Sequence, residues 1–166
     1  MKKTLTDRTK KLLYMQGFSM QDVENNPHIL ALSKWTPLAC AIFGSTGIVL
    51  VLFCNFIAPY YFIALGLLTL IGAVRPYSFY DYLYNYVFRY IFKFGKMPAH
   101  GAQRKFGCGI GGIMYAISGV GFFLENMYLA YIPAIFMVVF AFVAGLSNWC
   151  FASTVHALIC GKKDEK

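Results

Sequence analysis

The sequence contains few charged residues, and they leave long parts of the chain without any charge. Only 13% of its 166 residues are charged and 58% are hydrophobic, whereas a typical soluble domain has about 25% charged residues. The mean hydropathy is +0.56. This composition excludes an ordinary soluble globular protein and, because apolar residues are abundant, a disordered chain. A chain of this length forms one domain, so the composition predicts a small integral membrane protein.

Three segments lack Asp, Glu, Lys and Arg altogether. They lie between Lys34 and Arg75, between Lys105 and Glu125, and between Glu125 and Lys162. A membrane helix needs about 20 apolar residues, so the first segment has room for two spans and each of the others for one. The sequence therefore predicts an all-α, polytopic membrane protein. Its four transmembrane helices are expected at about 36–55, 58–74, 106–124 and 128–148.

The charges also divide the chain into three predicted parts. Residues 1–34 form a basic segment, residues 35–161 form the transmembrane domain, and residues 162–166 form a charged tail. Residues 149–160 exceed the length that the fourth span needs. They either prolong the fourth helix or bend along the membrane surface.

The positions of the basic residues predict the orientation of the chain. All 15 Lys and Arg residues lie in residues 1–34, 75–105 and 161–166. With four spans these three segments share one face, which the positive-inside rule makes cytoplasmic. Both termini are therefore expected in the cytoplasm. The net charge of +8 then reflects topology and affinity for anionic lipid headgroups, so membrane lipids are predicted partners and nucleic acid is not.

The basic N-terminal segment carries one specific local motif. Ser19 and Asp22 have the spacing of a capping box, in which a serine and an acidic residue three positions later bond to each other's backbone. This predicts that a short helix begins here. Asn26 and Pro27 predict its end, because the residue before a proline avoids helical dihedrals.

A Tyr-rich stretch occupies residues 78–94, between the second and third predicted spans. Its polar residues recur every four positions and would form one narrow stripe on a helix. We predict an interfacial helix with this stripe toward water and its aromatic body among the lipid headgroups. The alternative is an aromatic platform for a lipid, a quinone or a neighbouring subunit. The stripe consists of Asp81, Asn85, Arg89 and Lys93.

Small residues line the third predicted span. Gly107 and Gly111 form a small-xxx-small pair, and Cys108, Gly112 and Ala116 form a second series on the adjacent face. Helices in lipid associate through close backbone approach, which small residues permit. The third helix is therefore expected at the centre of the bundle.

The two predicted hairpins share residues at a constant offset. This similarity suggests a parallel repeat of two hairpins about an axis along the membrane normal. The matching residues are Cys40, Ile42 and Gly44 in the first hairpin and Cys108, Ile110 and Gly112 in the second.

Four of the five cysteines fall toward the predicted cytoplasmic face: Cys40, Cys108, Cys150 and Cys160. They either pack as small apolar residues or form a thiol site for redox exchange or a soft metal. The sequence contains no C-x-x-C and no spacing typical of a zinc site, so no metal and no cofactor is predicted.

The sequence shows no arrangement of residues that would identify a catalytic site. No ionisable residue is expected deep in the membrane, where such groups mark transport paths. No nucleophile, base and acid can be placed together from spacing alone. We therefore identify no catalytic residue from the sequence.

Two motifs resemble those of a known family. The third span begins Arg104-Lys105-Phe106-Gly107-Cys108-Gly109, and the fourth is followed by Trp149-Cys150-Phe151-Ala152-Ser153. Over about residues 35–155 the chain resembles a family of small, functionally uncharacterised bacterial membrane proteins. These have four spans, a basic middle loop, a Gly-rich third span and a Phe-Cys-x-Gly-Cys motif closing the last helix.

This resemblance implies a location in the bacterial inner membrane and a role in thiol redox chemistry. In that family the paired cysteines, and occasional association with thioredoxin-like proteins, imply such a role. Here Cys150 takes the first position of the motif, but Ser153 replaces the second cysteine. A disulfide within the motif is therefore excluded, and the second thiol would have to be Cys108 or Cys160.

Three functions remain open on the sequence. The first is a structural or accessory role, as a scaffold or as one subunit among other membrane subunits or copies of the same chain. The second is a membrane thiol-redox or sulfur-handling protein, using Cys150 with Cys108, Cys40 or Cys160. The third is a carrier of a lipid or small molecule.

Overall fold

The structure, a computed structural model, describes residues 6–93, 95–147 and 149–160, without the side chains of Ser153, Ala157 and Cys160. Within these ranges all regular secondary structure is helical. The α-helices are α1 (Asp7–Met15), α2 (Met20–Asn25), α3 (Ile29–Phe53), α4 (Ala58–Val74), α5 (Phe79–Leu83), α6 (Arg89–Phe92), α7 (Ala102–Phe123), α8 (Met127–Ser147) and α9 (Phe151–Cys160), and a π-helical turn, Tyr84–Phe88, joins α5 to α6.

Among the described residues, α3, α7 and α8 are each long and apolar enough to cross a membrane. The shorter α4 meets the same criteria only together with the segment Phe79–Phe92, and the chain bends by 88° between the two. The structure thus has three or four candidate spans. The prediction of an all-α, polytopic membrane protein is confirmed.

The long helices pack in an order that differs from their order in the chain. The most extensive contact joins α4 to α7, followed by the contacts of α8 with α3 and with α7. The consecutive helices α3 and α4 touch only slightly. The two hairpins are therefore packed unequally, and the internal repeat remains a prediction.

Small residues bring the backbones of α4 and α7 together. A Cβ atom added to Gly66 would lie 2.8 Å from the backbone nitrogen of Ala116 and 2.9 Å from the carbonyl oxygen of Gly112. Of the glycines singled out in the sequence, Gly112 lies at this crossing. Gly111 instead faces Met137 of α8, and Gly107 faces Ala152 of α9 at ordinary van der Waals distance.

The first long helix begins at Ile29, earlier than the predicted start near residue 36. Ile29 is completely buried and packs with Leu13, Phe18 and Val23 of the N-terminal segment. This apolar cluster stabilises the additional turns of α3. Helix α3 consequently contains Lys34, although sequence analysis placed this residue outside the span.

The capping box of the N-terminal segment is present. The backbone nitrogen of Asp22 donates to Ser19 Oγ at 3.2 Å, and the backbone nitrogen of Ser19 donates to Asp22 Oδ2 at 3.2 Å. Helix α2 begins directly after Ser19 and ends at Asn25. Both ends of this helix are where the local sequence motifs predicted them.

The prediction that Asp81, Asn85, Arg89 and Lys93 form one water-facing stripe is wrong. Asp81 is completely buried and Asn85 is half-buried, whereas Arg89 and Lys93 are exposed. The π-helical turn Tyr84–Phe88 changes the number of residues per turn, so positions four apart do not stay on one face. Asp81 is also held inside by partners from other elements, which a local pattern does not show.

Residues after the fourth span do not prolong its helix. The backbone nitrogen of Trp149 donates to Ser147 Oγ at 3.2 Å beyond the end of α8, and a separate helix α9 begins at Phe151. Helix α9 packs against α7 and touches α1. Of the two alternatives that the sequence left open, the structure thus has a break followed by a new helix.

Candidate thiol site

A cavity of about 180 Å³ lies between α3, α7, α8 and the segment that leads into α9. Three of the cysteines predicted to share a site line it: Cys40 from α3, Cys108 from α7 and Cys150 from the start of the last segment. The side chain of Cys160 lies outside the described residues. Cys54 is exposed and does not line the cavity. The fold therefore brings together three thiols that are far apart in sequence.

One of these thiols lies next to a histidine that in turn contacts a carboxylate. The Sγ atom of Cys108 lies 4.0 Å from Nδ1 of His100. The opposite ring nitrogen of His100, Nε2, contacts Oδ2 of Asp81. The side chains of His100 and Asp81 are both completely buried. A thiol and an imidazole thus meet at the wall of the cavity, and a carboxylate lies behind the imidazole.

The Asp81 carboxylate has partners on both oxygens. Its Oδ2 accepts hydrogen bonds from the backbone nitrogen and Oγ of Ser78, both at 2.9 Å, besides contacting His100. Its Oδ1 accepts from Oγ1 of Thr36 at 2.7 Å and lies 3.6 Å from Nη2 of Arg104. A buried charge is tolerated only when it is paired and hydrogen-bonded, as this one is. Asp81 therefore links α3, α5, α7 and the loop that carries His100.

His100 is placed by its loop rather than by a helix. Its backbone nitrogen donates to the carbonyl oxygen of Pro76 at 2.7 Å. Earlier in the same loop, the backbone nitrogen of Met97 donates to Oδ1 of Asn85 at 2.9 Å, and Met97 is buried. These two bonds fold the loop back on the Tyr-rich segment and carry His100 to the start of α7. Asn85 thus acts as an internal anchor and not as part of a surface stripe.

Arg104, in the first turn of α7, contributes a buried positive charge. Its Nη2 donates to Oγ1 of Thr36 at 2.8 Å, and its guanidinium carbon lies 4.7 Å from the ring centroid of Phe18. Its side chain is only 10% exposed and lines the cavity. The second terminal nitrogen, Nη1, is buried and has no hydrogen-bond partner among the described residues. One donor of this arginine therefore remains unused among the described residues.

Cys40 lies in a different environment, against buried tyrosines. The hydroxyl of Tyr115 donates to the carbonyl oxygen of Cys40 at 3.1 Å and lies 3.5 Å from its Sγ. The hydroxyl of Tyr80 lies 3.1 Å from Oγ1 of Thr69. No basic group contacts the thiol of Cys40 among the described residues. Of the three thiols that line the cavity, Cys108 has the imidazole partner.

This arrangement is that of a nucleophile, a base and the group that orients the base. In such an array the imidazole takes the proton of the thiol, and the carboxylate holds the ring and stabilises its charged form. The array is not evident from the sequence, since Asp81, His100 and Cys108 lie on three separate elements. One signal was present: Ser78 and Asp81 repeat the spacing of Ser19 and Asp22, which indicates an aspartate folded back on its own helix start.

The described residues contain no group of three or more His, Cys, Asp and Glu side chains that could hold a metal ion.

Several residues singled out in the sequence lie outside the site. Two residues of the predicted stripe, Arg89 and Lys93, are exposed and do not line the cavity. His156 packs edge-on against Phe106, with ring centroids 5.4 Å apart. The site consequently consists of thiols, His100, Asp81 and Arg104.

Comparison with known proteins identifies the family of this chain. A family model described as Domain of unknown function (DUF4395) matches residues 36–160, which is well over half of the chain and includes every residue of the site. No curated protein and no solved structure matches the chain. The match confirms the resemblance to an uncharacterised family that the two sequence motifs indicated. The chain therefore belongs to the DUF4395 family.

Proposed function

We propose that the protein is a membrane thiol protein in which Cys108 is the reacting nucleophile. One observation carries this proposal: the Cys108 thiol and the His100 imidazole meet at the wall of a cavity, and the buried Asp81 carboxylate contacts the opposite nitrogen of the ring. A purely structural role would explain the ion pair between Asp81 and Arg104. It would not require a thiol next to Nδ1 of the His100 imidazole. The geometry thus favours the thiol alternative over a structural or accessory role.

Each group of the array has a distinct task. His100 takes the proton from Cys108 through Nδ1, because its Nε2 is directed to Asp81. Asp81 is a positioning residue, which orients the ring and balances its charge. The positive charge of Arg104 favours the thiolate, which is the reactive form of cysteine, and offsets the opposite effect of Asp81. The cavity itself admits only a small substrate.

The orientation of the protein in its membrane is part of this proposal. The site lies at the end of the bundle that carries Arg75, Arg104 and Lys105, and positive residues mark the cytoplasmic side. We infer that the site faces the cytoplasm of a bacterial cell. Thiols are kept reduced in that compartment, so Cys108 would be ready to react.

The segment Phe79–Phe92 is proposed to lie along the membrane surface beside the site. It turns by 88° from α4, and its outer tyrosines, Tyr82, Tyr86 and Tyr90, are exposed. Tyrosine favours the headgroup region, where its ring is in contact with lipid and its hydroxyl with water. This placement would anchor the segment while Tyr80, Asp81 and Tyr84 remain buried inside the protein.

The proposal predicts that Cys108 reacts faster than the other buried thiols and that His100→Gln slows it. We would treat purified protein with a small uncharged methylthiolating reagent and follow each cysteine by peptide mass spectrometry. A general base contributes about 10²-fold or more in enzymes, so we expect His100→Gln to slow Cys108 at least about tenfold. The exposed Cys54 serves as the internal control, and its rate should be the same in both proteins.

Two further measurements separate base catalysis from loss of structure. A melting curve shows whether His100→Gln is folded, and added imidazole should restore part of the rate in His100→Gly, which a structural role would not predict. If Cys108 reacts no faster than Cys40 in the native protein and is indifferent to His100, the thiol function is wrong. A structural or accessory role would then be the better description.

A further inference from the structure

Arg104 lines the cavity together with the reactive thiol, and it has an unused donor. Nη1 of Arg104 is buried, the whole side chain is only 10% exposed, and no described residue accepts a hydrogen bond from this nitrogen. Leaving a charged donor without a partner in a buried site costs stability. An arginine in this state is typical of a site for an anion, because its planar fork matches oxyanions.

The rest of the cavity is mostly apolar in surface, despite a few polar side chains such as Thr69 and Gln103, and it is rich in sulfur. Besides the three thiols, Met114 and Met137 contribute thioethers to its wall, together with Phe136 and Phe140. Thioethers and thiols are soft and polarisable, and they suit a polarisable ligand better than a strongly hydrated one. The site therefore combines one positive end, at Arg104, with a soft apolar remainder.

We propose that the cavity binds a small sulfur oxyanion that carries a transferable sulfur atom, and that Cys108 accepts this sulfur. Thiosulfate is the simplest member of this class, with an oxyanion end for Arg104 and a polarisable outer sulfur for the thiol. A water molecule takes about 30 Å³ in the liquid, so a cavity of about 180 Å³ has room for such an ion. This inference rests on the proposed nucleophilic role of Cys108 and specifies its substrate.

The transfer needs no external oxidant or reductant. His100 takes the proton of Cys108, and the thiolate attacks the outer sulfur of thiosulfate. The bond between the two sulfur atoms of thiosulfate breaks, its electron pair leaves with sulfite, and a new sulfur–sulfur bond forms on Cys108. Thiolate and thiosulfate thus become a Cys108 persulfide and sulfite, with charge and electrons conserved. Arg104 stabilises the oxygens of the departing sulfite.

The test is to incubate the purified full-length protein with thiosulfate and to measure both products. We expect sulfite release and the mass of one added sulfur atom on the Cys108 peptide, removable by a thiol reductant. Arg104→Gln should lower the initial rate by about 10- to 100-fold, since a charge-assisted hydrogen bond to the anion is lost. Arg89→Gln removes an exposed arginine outside the cavity and is the matched control, for which the rate should not change.

Arg104 also bonds to Thr36, so a second measurement excludes a mere loss of structure. In the native protein thiosulfate should slow methylthiolation of Cys108 without affecting Cys54. In Arg104→Gln this protection should be lost while Cys108 still reacts with the uncharged reagent, a result that a collapsed site would not give.

The outcomes distinguish this inference from the proposed function. If Cys108 is reactive toward the methylthiolating reagent but gains no sulfur from thiosulfate, the substrate assignment is wrong and the thiol function stands. The same conclusion follows if sulfate and thiosulfate protect equally and no persulfide forms. If Cys108 is inert to both reagents, the inference and the proposed function are both wrong.

Discussion

Asp81→Asn is expected to lower the free energy of unfolding by about 3–5 kcal/mol, the cost of removing one partner from a buried ion pair. The substitution preserves the shape of the side chain but removes the negative charge. In the native protein Asp81 Oδ1 lies 3.6 Å from Nη2 of Arg104, and Asp81 Oδ2 contacts Nε2 of His100. In the variant Arg104 and His100 would remain buried beside a neutral amide. Since Asp81 joins four structural elements, its loss should loosen the whole end of the bundle.

The same substitution in the N-terminal segment provides a matched control. Asp22 occupies the same position of a capping box as Asp81, after Ser19 in place of Ser78, but it is only partly buried, and among the described residues its carboxylate bonds to Ser19 alone. Asp22→Asn should therefore cost about 1 kcal/mol or less, the range of a helix cap alone. Thermal melting in one detergent, followed by the signal of the tryptophans, would compare the two variants.

Equal melting temperatures for Asp81→Asn and Asp22→Asn would contradict the buried network. In that case the Asp81 carboxylate would contribute to stability only as a helix cap, and there would be no evidence that it orients His100. Asp81→Asn is for this reason a test of stability, whereas His100→Gln, which leaves the pair of Asp81 and Arg104 in place, is the better test of reactivity.

Gly66→Ala is expected to destabilise the protein by about 1–3 kcal/mol, the usual cost of overpacking a close contact. The new Cβ would lie 2.8 Å from the backbone nitrogen of Ala116 and 2.9 Å from the carbonyl oxygen of Gly112. Both are backbone atoms of α7, which cannot move aside as the end of a flexible side chain could. The helices α4 and α7, which make the most extensive contact in the bundle, would have to separate.

Gly109→Ala is the control for this prediction. Gly109 lies in the same helix α7, but a Cβ there would meet only Ala73 Cβ at 3.7 Å, an ordinary contact distance. Alanine is favoured over glycine inside a helix by about 0.5–1 kcal/mol, so this variant should be as stable as the native protein or more so. Unfolding in a series of mixed detergent and SDS solutions would measure both. Loss of stability in Gly109→Ala but not in Gly66→Ala would contradict the packing described for α4 and α7.

Local motifs in the sequence predicted local structure well. The capping box of Ser19 and Asp22 begins α2, and the long uncharged segments contain the long apolar helices. These predictions succeed because their causes lie within a few residues or in the apolar character of one helix. The water-facing stripe failed for a related reason: it assumed a regular helix, and the π-helical turn Tyr84–Phe88 interrupts that regularity.

The candidate site could be predicted only in part. The sequence predicted that Cys40, Cys108, Cys150 and Cys160 fall toward one face of the membrane, and the first three do line one cavity, while the side chain of Cys160 lies outside the described residues. It did not place His100 or Asp81 beside them. The loop that carries His100 is held by backbone bonds to Pro76 and Asn85, and no periodic pattern records such bonds.

The sequence alone determined that this is an all-α membrane protein, because hydrophobic length and the placement of charge act on each helix separately. Tertiary structure alone decided which helices pack together and which buried groups meet. A charge such as Asp81 can enter the interior only when partners from α3, α7 and the His100 loop arrive at the same place, so its burial is a property of the assembled fold. The Cys108 site exists for the same reason.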